Sequence, residues 1–221
     1  MWCIPAADAV FVAQMEVILD LYERAYNPVR PLVCFDETTK QLIEETRLPL
    51  AMKPGQVQRY DYEYRRNGTR NLFLFFEPLA GWRHIEVTAR RTKLDFAYQM
   101  RWLVDAAYPD VEGIDVVLDN LNTHTYAALY EAFEPAEARR IARKLTFHYT
   151  PKHASWLNMA EIEFSVIARK LGPRVPDEET LKRKVAAIEL SRNNSEATVD
   201  WQFTTYDARI KLKRLYPSYS D

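Results

Sequence analysis

The sequence predicts an α/β fold, a five-stranded mixed sheet flanked by helices. Two observations predict it. Five segments of strand length, apolar or alternating, fall at 32–35, 71–77, 82–89, 114–118 and 146–150. Segments of helical period separate or follow the last three, giving the order three strands, helix, strand, helices, strand, then helices. A third observation locates chemistry on that sheet: two of the strands run directly into an aspartate, Asp36 and Asp119.

The elements follow in order. Residues 6–26 place Val10, Ala13, Val17, Leu21 and Tyr22 at helical spacing, and Asn27-Pro28 with Pro31 stops the helix. Leu32-Val33-Cys34-Phe35 then reads as a buried strand with Asp36-Glu37 at its C-terminal end. From Thr38 to Asn71 the pattern loosens into a long excursion, with Gly55, Gly68 and a short hairpin built on Tyr60–Tyr64. The next two strands are joined by a compact Ala80-Gly81 turn and should pair antiparallel. Thr92 caps a helix that reaches Tyr108, with Asp95 in its first turn. Ile114–Leu118 is a second buried strand ending in an acid, Asp119. Helices over 125–133 and 135–145 precede the fifth strand, and helices over 158–171, 177–194 and 205–215 complete the chain. Residues 1–31 are expected to be a linker helix, and 32–221 one domain with an insertion at about 38–70 between its first two strands.

Composition narrows the class. Hydrophobic residues make up 48% of the 221, enough for a substantial core, and no uncharged apolar run reaches the length of a membrane span. The N-terminus carries Asp8 and Glu16 and no basic region, unlike a secretory signal. Two cysteines, Cys3 and Cys34, suit neither a paired-cysteine zinc site nor a disulfide framework, so a cytoplasmic setting is expected. A net charge of −1 excludes a polybasic coat but permits a basic patch around an acidic centre.

If the strands ending in Asp36 and Asp119 are parallel neighbours, their carboxylates lie side by side at the sheet's carboxyl edge, where ligands gather in α/β folds. Like charges held that close call for a divalent cation. A third carboxylate from a helix would complete an oxygen-rich site suited to Mg²⁺ or Mn²⁺, and two such ions could activate a water and stabilise a leaving oxygen.

Three blocks single out which acids. Residues 34–37 (CFDE), 118–124 (LDNLNTH) and 148–164 (HYTPKHASWLNMAEIEF) resemble the signature blocks of mariner-type DDE transposases, with the bacterial insertion-sequence branch the nearest likeness. The resemblance runs from about Leu32 to Tyr216, and the third block is its most specific part. It implies an RNase H-like fold whose metals, two Mg²⁺ or Mn²⁺ ions, are held by Asp36, Asp119 and Glu161, with Asp36 bridging them. It implies hydrolysis of a phosphodiester at each transposon end, followed by attack of the freed 3′-hydroxyl on target DNA. The partners it implies are double-stranded DNA and a second copy of the chain in the DNA complex, with the protein on the nucleoid when bound. It also implies an N-terminal pair of helix-turn-helix modules; none is found before Leu32, so this chain alone is expected to bind end DNA weakly.

Each residue has a plainer reading. Asp36 and Asp119 could be strand-end acids in turns. Asn158 and Glu161 have the spacing of a capping box, and Glu163 is the rival third ligand, since the family's proline is Met159 here. His124 is either a surface histidine or a residue seated beside Asp119. Lys152 and His153 could meet DNA phosphates or form a plain loop. Arg59, Arg65, Arg66 and Arg70 lie where the family carries a DNA- and dimer-contacting insertion, and are otherwise a solvated basic loop. Cys34, Phe73, Phe75 and Phe76 read as core. The competing functions are another RNase H-like nuclease, or a domesticated DNA-binding protein with a silent site.

Overall fold

In a computed structural model, residues 8–47, 50–57, 59 and 61–217 are described. Its strands are β1 (Leu32–Glu45), β2 (Tyr64–Glu77), β3 (Trp82–Thr88), β4 (Ile114–Leu118) and β5 (Leu145–Tyr149). The helices are α1 (Ala9–Glu23), α2 (Lys93–Trp102), α3 (Tyr126–Ala132), α4 (Pro135–Lys144), α5 (Met159–Leu171), α6 (Glu178–Asn194) and α7 (Thr205–Lys211). The five strands form one mixed sheet in the order β3-β2-β1-β4-β5. β1 pairs antiparallel with β2 and parallel with β4, β2 pairs antiparallel with β3, and β4 pairs parallel with β5.

The two-residue period of the central strands builds two cores. Leu32 and Cys34 of β1, Leu72, Leu74 and Phe76 of β2, Ile85 of β3 and Val117 of β4 face α1, α5, α6 and α7. Val33, Phe35, Phe73, Phe75, Val116 and Leu118 face α2, α3 and α4. Cys34, Phe73, Phe75 and Phe76 are fully buried, as expected for core residues. Strands apolar on both faces can exist only between two helical layers, and that is the arrangement formed.

Several elements depart from the sequence reading. β1 does not stop at Asp36 but runs on to Glu45, and β2 begins at Tyr64, so both ends of the supposed excursion are paired as a long antiparallel hairpin. Apolar content is what ended the expected strand, whereas cross-strand pairs hold the real one: Thr39 donates to Asn71 (3.0 Å) and Glu44 pairs with Arg65. The α5–α6 connection also ties the arm down, since Ile43 N–H donates to the Val175 carbonyl (2.7 Å) and Asn67 to that of Pro176 (2.9 Å). The turn inside the excursion is not at Tyr60–Tyr64. Backbone bridges join Leu50 to Arg59 and Lys53 to Gln56 around Pro54-Gly55, and Tyr60 itself lies outside the described residues.

α1 buries Leu21 and Tyr22 of the expected stripe but otherwise a different one. Val10 and Val17 face solvent, and Phe11, Val12, Met15, Ile18, Leu19 and Tyr22 enter the core. The two stripes are adjacent, and the larger side chains took the interior. Asp8 caps this helix by accepting from Val10 N–H. Thr92 and Asp95 form the capping box of α2, which widens into a π turn at Leu103–Ala107, where Tyr108 N–H bonds the Leu103 carbonyl. The last expected helix is split into α7 and a 3₁₀ turn at Lys213–Leu215.

Candidate active site

The sheet geometry sets Asp36 apart although its strand continues. The parallel ladder between β1 and β4 covers only Leu32–Cys34 against Asp115–Val117. Beyond it the strands part, and Asp36 stands at the opening beside Asp119, which directly follows β4. Asp36 shares its face with Cys34, the face on which α5 packs, while Glu37 shares the face of Phe35.

α5 is placed by its cap. Asn158 Oδ1 accepts from Ala160 N–H (3.1 Å), and Asn158 Nδ2 donates to the Phe35 carbonyl (2.9 Å), one residue from Asp36. This buried amide therefore anchors the start of α5 to the strand that carries Asp36. Glu161 is not the partner of a capping box: the cap serves Ala160, and Glu161 stands exposed in the first turn. Glu163, the rival ligand, is 1% exposed and clamped by Arg83 (3.1 Å) and Arg192 (2.5 and 2.6 Å) on another side of the helix. The sequence held a signal for this, because Glu163 falls four residues after Met159 and four before Ile167, on the apolar face.

Electrostatics link the three acids. Burial pushes the Asp36 carboxyl up to about 7; the Glu37 N–H, donating at 2.7 Å, opposes this, while repulsion from Glu161 and Asp119 adds to it and nearby His124 relieves part. Crowded carboxylates of this kind are hard oxygen donors short of a counter-charge, and they fit Mg²⁺ or Mn²⁺. Among the described residues, no three acid, histidine or cysteine side chains stand close enough together to enclose an ion. Cys34 is no competitor for this role: burial raises its thiol to about 12.

His124 is fully buried, not a surface histidine. Its Nδ1 lies 2.6 Å from Asp119 Oδ1, its Nε2 lies 3.7 Å from Glu37 Oε2, and its ring packs against Phe35 and Phe96. Burial alone would lower its pKa, but the bond to Asp119 and the nearness of Glu37 hold it up at about 9. Glu37, in turn 3.4 Å from Arg91, was missed in the sequence because a second acid after a strand carries no pattern of its own.

The expected DNA-contacting residues scatter. Lys152 and His153 are exposed in the loop before α5, and His153 has a left-handed backbone (φ 66°). Arg65 pairs with Glu44, and Arg70 with Glu178 (2.5 Å). Arg66 is exposed with its guanidinium 6.0 Å from the Tyr64 ring, and Arg59 is exposed at the far bridge. None of these four adjoins the acids in sequence or shares an ion pair with them.

Comparison with known proteins sets this arrangement in context. The family described as DDE superfamily endonuclease matches residues 31–182, well over half of the chain. Among solved structures, the chain is similar to the Mos1 mariner paired end complex with Mn: TM-score 0.52, 15% identity, covering 86% of this chain and 62% of that one. It is similar to the Mos1 transposase paired-end complex with left transposon end: TM-score 0.59, 14% identity, covering 97% and 64%. A third is the Mos1 strand transfer complex: TM-score 0.54, 14% identity, covering 86% and 61%. This likeness is one of fold, and the fold is RNase H-like, as expected. The chain spans less than two thirds of the length of those Mos1 chains. No curated protein matches it.

Proposed function

Since the chain belongs to the DDE superfamily endonucleases, we propose that it is the catalytic part of a DNA transposase, cutting phosphodiesters at transposon ends and joining the freed 3′-hydroxyl to target DNA. The observation that carries this reading is the placement of Asp36 just past the β1–β4 ladder, of Asp119 directly after β4, and of Glu161 in the exposed first turn of α5, whose start Asn158 bonds to Phe35. In this reading Asp36, Asp119 and Glu161 hold Mg²⁺ or Mn²⁺, which when bound would supply charge neutralisation and an activated water. The chain's own part is positional. His124 fixes one oxygen of Asp119, Asn158 fixes the start of α5 against β1, and the first turn of α5 presents Glu161.

The double-stranded DNA partner follows from the same reading. The Mos1 structures similar to this chain are paired-end and strand transfer complexes, and they support a DNA substrate; a second copy of the chain on that DNA is part of the proposal. In this reading Lys152 and His153, exposed just before α5, would meet DNA phosphates, and the exposed Arg59 and Arg66 would meet DNA along the hairpin arm. Strand cleavage of transposon-end DNA with Mn²⁺ tests the reading. Asp36→Ala and Asp119→Ala should each abolish it, and undiminished cleavage in either would refute the proposal. Cleavage without end joining would favour the other reading, a plain nuclease of this fold.

A further inference from the structure

A buried charged network lies behind α5, away from the acids. Arg83 of β3 is fully buried, its guanidinium stacked over the Phe76 ring at 5.1 Å. Arg83 Nε faces Glu163 Oε1 at 3.1 Å, and Arg192 of α6 donates to both oxygens of that carboxylate. Asn193 ties the backbone in: it accepts from Arg83 N–H (2.9 Å) and donates to the Arg83 carbonyl (2.8 Å). Arg83 Nη2 donates to the Ala197 carbonyl (2.5 Å). Three elements, β3, α5 and α6, thus meet on one carboxylate.

Burying such charges is a poor source of stability, because desolvation offsets the Coulomb attraction. What a forked carboxylate between two guanidiniums does supply is a single orientation. Glu161 and Glu163 are two residues apart on α5, roughly 200° around the helix. Asn158 pins one end of this turn to Phe35, and Glu163 pins its back to Arg83 and Arg192. The two pins together resist rolling of α5 about its axis and so fix the side of the helix on which Glu161 projects.

We infer that Arg83, Glu163 and Arg192 are positioning residues that set the rotation of α5 and so hold Glu161 in register with Asp36 and Asp119. The inference rests on the proposed function, in which Glu161 is a metal-holding residue. Mn²⁺ affinity measured by calorimetry on the whole chain, well below its melting temperature, separates positioning from mere stability. Glu163→Gln keeps the shape and removes the charge. Arg192→Gln keeps the buried Arg83–Glu163 pair and lets the chain fold if Glu163→Gln does not. Each is expected to weaken Mn²⁺ binding about tenfold and to lower kcat on end DNA about 10–100-fold, with KM for DNA nearly unchanged and kcat partly restored by excess Mn²⁺. Wild-type Mn²⁺ affinity and kcat in folded Arg192→Gln and Glu163→Gln, with only the melting temperature lowered, would overturn the inference. Glu161→Gln is the separate control: unchanged Mn²⁺ affinity there would overturn the site reading itself, whatever the other variants show.

Discussion

Asp119 leaves its strand with a side chain about a third exposed, and the contact that fixes it is His124, buried beneath it at 2.6 Å. The histidine is itself held by Phe35, Phe96 and the nearby Glu37 carboxylate. Removing such an outer partner costs about 10–100-fold in metal affinity or activity. His124→Gln should therefore lower Mn²⁺-dependent cleavage by about that factor, and cleavage at the wild-type rate would show that Asp119 needs no such support. A second buried acid works for stability instead. Asp115 accepts from Arg24 (2.8 Å), Arg30 (2.9 and 3.1 Å) and His148 (2.8 Å). Burial works to raise its carboxyl, but the bonds from His148, Arg30 and Arg24 outweigh it and hold the group well below the usual carboxylate range. A folded-state pKa below the unfolded value gives stability that is full above about pH 4 and is lost as the pH falls further. Asp115→Asn should unfold about 1–2 kcal/mol more easily at pH 7, a modest figure because both arginines are nearly half exposed. Its acid limb should be flatter than that of the wild type in urea melts at descending pH; parallel limbs would contradict the assignment.

At the scale of elements, the turn between β2 and β3 shows how tightly the sheet meets α6. Gly81 has φ 65°, and a Cβ there would run into the backbone carbonyl group of Glu196 and come within 2.9 Å of Ala197 N. Gly81→Ala should cost about 2–4 kcal/mol, from the left-handed backbone and the overlap together. A melting temperature within a degree of the wild type would show that the α6 end can move aside. Much of this element map was legible in the sequence. The apolar runs of the central strands, the Thr92 cap and the Ala80-Gly81 turn all declare themselves locally. The outer half of β1 did not, because Thr38–Glu45 is polar and becomes a strand only when β2 and the α5–α6 connection supply its partners. Of the proposed site, Asp119 was legible as the acid that ends β4 and Asp36 as the acid after an apolar run, although β1 continues past it. Glu161 was singled out mainly through family resemblance, and the one local signal separating it from Glu163 is that Glu163 shares the apolar face with Met159 and Ile167. The structure separates them by burial and by the two arginines on Glu163.

For the molecule as a whole, charge is divided by place. At the sheet opening Asp36 feels the charge of Glu161 and Asp119, while Arg83 and Arg192 are turned inward to Glu163 and Arg65 and Arg70 of the hairpin arm are paired with Glu44 and Glu178. In a chain of net charge −1, the proposed metal centre is thus an acidic one. Such a centre has one direct test, a crystal of the whole chain soaked in Mn²⁺ and read by anomalous scattering. Peaks bounded by Asp36, Asp119 and Glu161, with Glu163 still clamped by Arg83 and Arg192, are the expected result. Manganese bound elsewhere, or bound to Asp36 and Asp119 while Glu161 stays turned away, would contradict the account.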